Sequence, residues 1–183
     1  MMEARVFLSF VHEDRSLADQ CVGLLQGVGV PVCNAGQPET GEGIRDQLQE
    51  LILQATHLLV LVGPRTRLSK FVDQEIELST ERRENGNPGA GVIGIILPSH
   101  PDYDRPYYEP ENIPLRLHDL IESEYAILRK WTDNPDELRR WIDEADRRRG
   151  YRQPELSLRA AAQIYRFGWD SEVDEAPSAP RSQ

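Results

Sequence analysis

Cysteine is scarce in this chain. Cys21 and Cys33 are the only two, they lie in apolar surroundings and they form no C-x-x-C pair. That pattern points to buried free thiols in a reducing compartment rather than to a disulfide framework. Long apolar runs are missing too: none approaches the roughly 20 residues needed to cross a bilayer. The opening MMEARVFLSF is too short and too lightly charged to read as a secretory signal, so a cytoplasmic protein without a membrane partner is expected. Positive charge is also in short supply. Lys and Arg number 21 against 31 Asp and Glu, a formal net charge of -10, so phosphate backbones are repelled and nucleic acid is not an expected partner. The four histidines (His12, His57, His100, His118) are isolated, which argues against a metal site. There is no G-x-x-x-x-G-K-[ST] and no G-x-S-x-G elbow; the glycine-rich GNPGAGVIG precedes a strand, where a phosphate loop would follow one.

What is present is an alternation of short aliphatic runs and helical stripes. The length and a hydrophobic content of 39% suit one compact domain. Strands are expected at 5–10, 29–33, 57–63, 91–98 and 125–131, the middle ones so continuously apolar that they read as covered on both faces of a parallel sheet. Between them, Leu17, Cys21, Leu24 and Leu25 make one helical stripe with Gly27 as a stop. Ile44, Leu48, Leu51, Ile52 and Ala55 make another, Ser69 is the N-cap of a third helix, and a later helix spans about 134–149. The expected fold is α/β: a five-stranded, mainly parallel sheet with helices on both faces, flavodoxin-like, in the order 2-1-3-4-5. Residues 1–169 form the expected domain and 170–183 an acidic disordered tail. The proline-rich stretch 98–120 is expected to be an ordered but irregular connection ending in a short helix. Trp131, Trp141 and Trp169 are expected to be packing residues.

In an open parallel sheet, ligands bind beyond the carboxyl ends of the strands. The first strand delivers Phe10, Val11, His12, Glu13 and Asp14 to that edge, the second the loop from Asn34 to Gly43, and the third the run from Gly63 to Ser69 and the helix carrying Glu75. The loop 34–43 holds three glycines, so its backbone can approach a ligand closely or it is an ordinary turn-rich loop. Each candidate has a plainer alternative: a solvated helix position for Glu75, strand-end packing for Phe10, an exposed turn for His12 and a helix N-cap for Asp14. A phosphoacceptor receiver of this topology needs an aspartate at the end of the third strand, where this chain reads LVGPR.

The strand VFLSFVHEDR (6–15), the Gly-rich loop after the second strand, and SKFVDQEI (69–76) resemble a TIR (Toll/interleukin-1 receptor) domain over roughly residues 4–150, and more narrowly the TIR-like proteins of Thoeris antiphage systems. Ser9, Phe10, His12, Glu13 and Asp14 match the first motif. Ser69, Phe71, Val72 and Glu75 match the S-x-W-[CV]-x-x-E motif, with Phe71 standing where Trp is usual; Asn34 stands where many members have Asp. The resemblance implies cleavage of NAD between nicotinamide and ribose, with Glu75 as catalytic carboxylate and Phe10, His12, Asp14, Asn34, Ser69 and Phe71 in the binding site. NAD is then a substrate, with no cofactor or metal. An ADP-ribose-derived, cyclic product would act on a downstream effector, and self-association through TIR–TIR contacts would complete the site. The helix dipole is expected to favour ionised Glu75, and Phe71, one turn earlier, to offer a ring face to nicotinamide or adenine. Two other functions fit the same residues: a non-catalytic TIR-like nucleotide-binding or protein-interaction scaffold, and a nucleoside deoxyribosyltransferase-like activity.

Overall fold

The computed structural model describes residues 3–36, 44–81 and 88–149. Residues 37–43 of the glycine-rich loop, Trp169, the expected domain boundary and the expected tail lie outside the described residues.

Four strands form one parallel sheet in chain order: β1 (Val6–Ser9), β2 (His57–Val62), β3 (Gly91–Ile96) and β4 (Ile127–Lys130). Helices cover both faces. Alternation along the strands sends Val6, Leu8, Leu59, Leu61, Ile93 and Ile95 to one side, where α1 (Arg15–Gly27) and α5 (Pro135–Arg149) bring Ala18, Cys21, Leu25, Leu138, Ile142 and Ala145. Phe7, Leu58, Val60, Val62, Val92 and Ile96 face the other side, against Ile52 of α2 (Ile44–Gln54), Val72 and Ile76 of α3 (Lys70–Thr80), and Leu117 and Leu120 of α4 (Leu115–Glu122). Each fully buried aliphatic or aromatic side chain contributes roughly 1.5–3 kcal/mol, so the two layers, rather than propensity, hold the helices. Trp131 and Trp141 pack half-buried on the α1/α5 side. Both cysteines are free, and burial pushes the Cys21 thiol up to about 12.

The fifth expected strand, at 29–33, corrects the sequence expectation. Among the described residues it shrinks to a single parallel bridge, Val32 to Val6, on the outer edge of β1. Val6 N–H donates to the Pro31 carbonyl (2.9 Å) and Cys33 N–H to the Val6 carbonyl (2.7 Å), and the backbone pairing ends there. Pro31 has no N–H to extend the ladder backward, and the chain turns from Cys33 to Gly36. A side chain finishes the edge instead. Leu8 N–H donates to Asn34 Oδ1 (3.0 Å) and Asn34 Nδ2 donates to the Leu8 carbonyl (2.8 Å), satisfying both outward-facing backbone groups of Leu8. The sheet is therefore four strands in the order 1-2-3-4, not five in the order 2-1-3-4-5, with the Val32 bridge on the edge expected for the second strand.

The end of α1 also differs. Gly29, at φ +76°, is the residue that reverses the chain, while Gly27 is still helical. Val30 N–H reaches the Leu25 carbonyl (2.9 Å) and Gly29 N–H the Gln26 carbonyl (3.0 Å), the paired bonds of a Schellman ending that needs a left-handed residue.

Past β3 the chain is irregular until α4, yet internally satisfied. The buried Asp102 carboxylate accepts from Glu109 N–H (2.9 Å), Asn112 Nδ2 (3.1 Å) and Arg105 Nη1 (3.2 Å). His100 Nδ1 accepts from Asp102 N–H (3.1 Å), which leaves Nε2–H to donate to the Asn112 carbonyl (2.9 Å) and fixes the tautomer. Apart from a single 3-10 turn, Pro110–Asn112, this loop is ordered by closing on a buried carboxylate.

Candidate active site

The carboxyl ends of β1 and β2 build the site. Because β1 alternates, Ser9 points to the α3 side in register with Phe7, and Phe10 joins the apolar cluster on the α1 side. There the Arg15 guanidinium lies 5.9 Å from the Phe10 ring centroid. A single 3-10 turn follows, His12–Asp14, in which His12 and Glu13 are exposed and Asp14 is buried. Asp14 occupies the N-cap position of α1, but its side chain makes no cap bond. The carboxyl lies instead against Gly63 at the end of β2, with Oδ2 buried and without a partner among the described residues. Burial, and then the charge of Glu13, hold the Asp14 carboxyl above the ordinary carboxylate range.

Beyond Gly63 the chain is tied back by Thr66, whose Oγ1 accepts from Gly63 N–H (2.8 Å) and donates to the Leu61 carbonyl (3.2 Å). A 3-10 turn, Thr66–Leu68, leads to Ser69, which caps α3 by accepting from Val72 N–H at 3.3 Å. This start sets the rotation of the helix. Val72 and Ile76 enter the core, Phe71 faces outward at 67% exposure beside the 43%-exposed Leu68, and Glu75 falls on the flank of the buried stripe.

There Glu75 meets β1: the Ser9 hydroxyl donates to its Oε2. Burial drives the Glu75 carboxyl up to about 7, against the opposing pull of the Ser9 hydrogen bond. Desolvation therefore outweighs the helix dipole that was expected to keep this group ionised. A carboxyl that titrates near neutrality at the ligand edge of an open sheet is the arrangement found where a protein does chemistry.

Of the residues expected at the site, Glu75, Ser69 and Phe71 belong to one helix and its cap, and the second turn of that helix touches β1. Asn34 turns inward onto Leu8, Asp14 onto Gly63, Phe10 goes to the α1 side of the sheet, and His12 stays exposed on the turn between. The sequence motif included Ser9 without giving it a role. Strand alternation carries the missing signal, since a serine stands at a register where the α3 face otherwise holds Phe7. Gly63 and Thr66 had no such signal, because their partners are set by the turn after β2. Among the described residues no group of three His, Cys, Asp or Glu could hold a metal ion.

Comparison with known proteins supplies the family. A family profile described as TIR domain matches residues 6–142. Among solved structures, the chain is similar to the TIR domains in the structure of the activated Roq1 resistosome directly recognizing the pathogen effector XopQ. Sequence identity there is 16% and the TM-score 0.44, covering 89% of this chain and 98% of that chain. No curated protein matches. With the family profile running from the first residue of β1 into α5, the chain belongs to the TIR domain family.

Proposed function

We propose that the protein cleaves NAD at the bond between nicotinamide and ribose, with Glu75 as the catalytic carboxylate. The observation that carries this is the half-buried Glu75, joined to Ser9 at the carboxyl edge of the sheet and poised near neutral pH. Nicotinamide is a cationic substituent that takes the bonding electron pair and leaves neutral, so no general acid is needed and one carboxyl suffices. As the bond breaks, positive charge spreads onto the ribose ring. A fixed anion in a partly desolvated cleft stabilises that charge more than it stabilises bound NAD. The cation at C1 is then captured either by water, giving ADP-ribose and a proton, or by a ring nitrogen of the adenine, giving a cyclic isomer and a proton.

The exposed Phe71 ring, one turn before Glu75, is the surface against which the nicotinamide or adenine packs. His12, on the turn between Phe10 and Asp14, borders the same edge, while Asn34 and Asp14 hold the walls. A second copy of the chain completes the cover over the substrate. The ADP-ribose-derived product, in its cyclic form, would be the messenger to a separate effector, in the manner of Thoeris antiphage defence. Incubation of the purified chain with NAD, followed by mass spectrometry, should yield nicotinamide and an ADP-ribose-derived product. NAD left intact both alone and with phage-infected lysate contradicts the proposal.

A further inference from the structure

We infer that Ser9 is a positioning residue for Glu75: its hydroxyl fixes Oε2 of the carboxyl and leaves Oε1 as the oxygen that faces the substrate. This builds on the NAD-cleaving role proposed for Glu75 and adds a residue and a geometry to it.

Ser9 is 1% exposed and sits at the end of β1, paired in register with Val60 and on the side of the sheet that holds Phe7, Val60, Val62, Val72 and Ile76. A hydroxyl at such a position costs free energy unless it is hydrogen-bonded, and an aliphatic side chain would pack there without that cost. Among the described residues the partner of the Ser9 hydroxyl is Glu75. The Glu75 side chain is in turn held by Ser9 through one oxygen, Oε2, and that bond leaves Oε1 uncommitted to Ser9. A carboxyl anchored by one oxygen from a rigid strand has its remaining oxygen aimed by the backbone rather than by a free torsion, which is how a developing charge is met without reorganisation.

The hydrogen bond favours the ionised form. The Ser9 hydroxyl donates to a charged oxygen when Glu75 is ionised and to a neutral carbonyl oxygen when the proton sits on Oε1, and charge-assisted hydrogen bonds are roughly twice as strong. Ser9 therefore opposes the desolvation of a site that α3 packing would otherwise leave neutral. A competing account needs only a small residue at position 9, so that α3 can approach the sheet. Alanine satisfies that requirement equally, so it separates the two.

The test is a carbon-13 NMR titration of the Glu75 carboxyl in the full chain, with the resonance assigned by its loss in Glu75→Gln. It is run on wild type, Ser9→Ala and Ser9→Thr. Losing a hydrogen bond that favours the charged form, Ser9→Ala should raise the titration midpoint by about one pH unit, and Ser9→Thr should return it to the wild-type value. The acid limb of nicotinamide release should move with it, lowering activity about tenfold near pH 6 and converging with wild type in alkali, where both carboxyls are ionised. An unmoved midpoint in a natively folded Ser9→Ala overturns the inference, as do equal displacements in Ser9→Ala and Ser9→Thr, which would trace the effect to packing. The titration decides the role of Ser9 whether or not turnover is detected; absence of turnover in wild type counts against NAD cleavage alone.

Discussion

The Asp14 carboxyl rests on Gly63: a Cβ built at Gly63 would lie 2.3 Å from Oδ2 and 2.6 Å from Oδ1 of Asp14. This contact locks the turn after β1 to the turn after β2, the two segments that frame Glu75. Gly63→Ala cannot be absorbed without moving the buried carboxyl, and overpacking of this kind costs about 1–3 kcal/mol. Chemical denaturation should show that loss, and the penalty should shrink when Asp14→Gly is present in the same chain. Additive penalties would mean that the two residues do not press on one another.

Asn34 should not tolerate aspartate, although the two differ by one group. A carboxylate in its place would still accept from Leu8 N–H but could not donate to the Leu8 carbonyl, and it would set a negative charge against that oxygen. Asn34→Asp is expected to cost about 1–3 kcal/mol and to speed hydrogen exchange at the Leu8 amide. Unchanged exchange at Leu8 would show that the edge of β1 is held by something else.

These two contacts also mark what a sequence can and cannot reveal. The strands at 57–62 and 91–96 are legible because a run apolar on both faces has few other homes, and Ser69 and Glu75 because a cap and a motif coincide. The strand at 29–33 is read too strongly from sequence: periodicity registers Val30 and Val32 as strand-like, but not that Pro31 and an asparagine side chain replace the ladder. That Asp14 meets Gly63 depends on how two turns far apart in the chain are brought together. The neutral-range titration of Glu75 escapes the sequence because the dipole of a helix is visible there, while the depth to which packing buries its second turn is not.

Glu75 and His57 should make opposite contributions to stability over overlapping pH ranges. The Glu75 carboxyl titrates near 4.5 when unfolded and at about 7 when folded, so raising the pH between those values costs stability. His57, 2% exposed at the start of β2 with its Nε2 3.8 Å from Asp146, is lowered by burial from 6.5 to about 4, so raising the pH through that window adds stability. Each amounts to roughly 3 kcal/mol and they offset one another in wild type. Relative to wild type, Glu75→Gln should gain stability as pH rises from 4.5 to 7, and His57→Gln should lose it between 4 and 6.5. Thermal melts across this range check both. Parallel curves for the three proteins would contradict both assignments.

Assembly should limit turnover. A chain of net charge -10 repels its copies at low salt, yet the proposed site has the large apolar ring of Phe71 exposed beside it for a second copy to cover. Nicotinamide release should rise more than linearly with protein concentration and should increase with moderate salt as repulsion is screened. Specific activity that stays constant over roughly a hundredfold dilution would mean that one copy suffices.

The central claim is that an ionised Glu75 drives the bond cleavage. The direct measurement is nicotinamide release from NAD by wild type and Glu75→Gln, at one high protein concentration, across the pH range around neutrality. Wild type should show a rate that climbs about tenfold per pH unit below the Glu75 midpoint and levels off above about 7, where the carboxyl is ionised. Glu75→Gln, natively folded, should lose activity at every pH by at least about a hundredfold, the loss of one preorganised charge. Retention of the wild-type rate by folded Glu75→Gln, or a wild-type profile flat through neutrality, would contradict it.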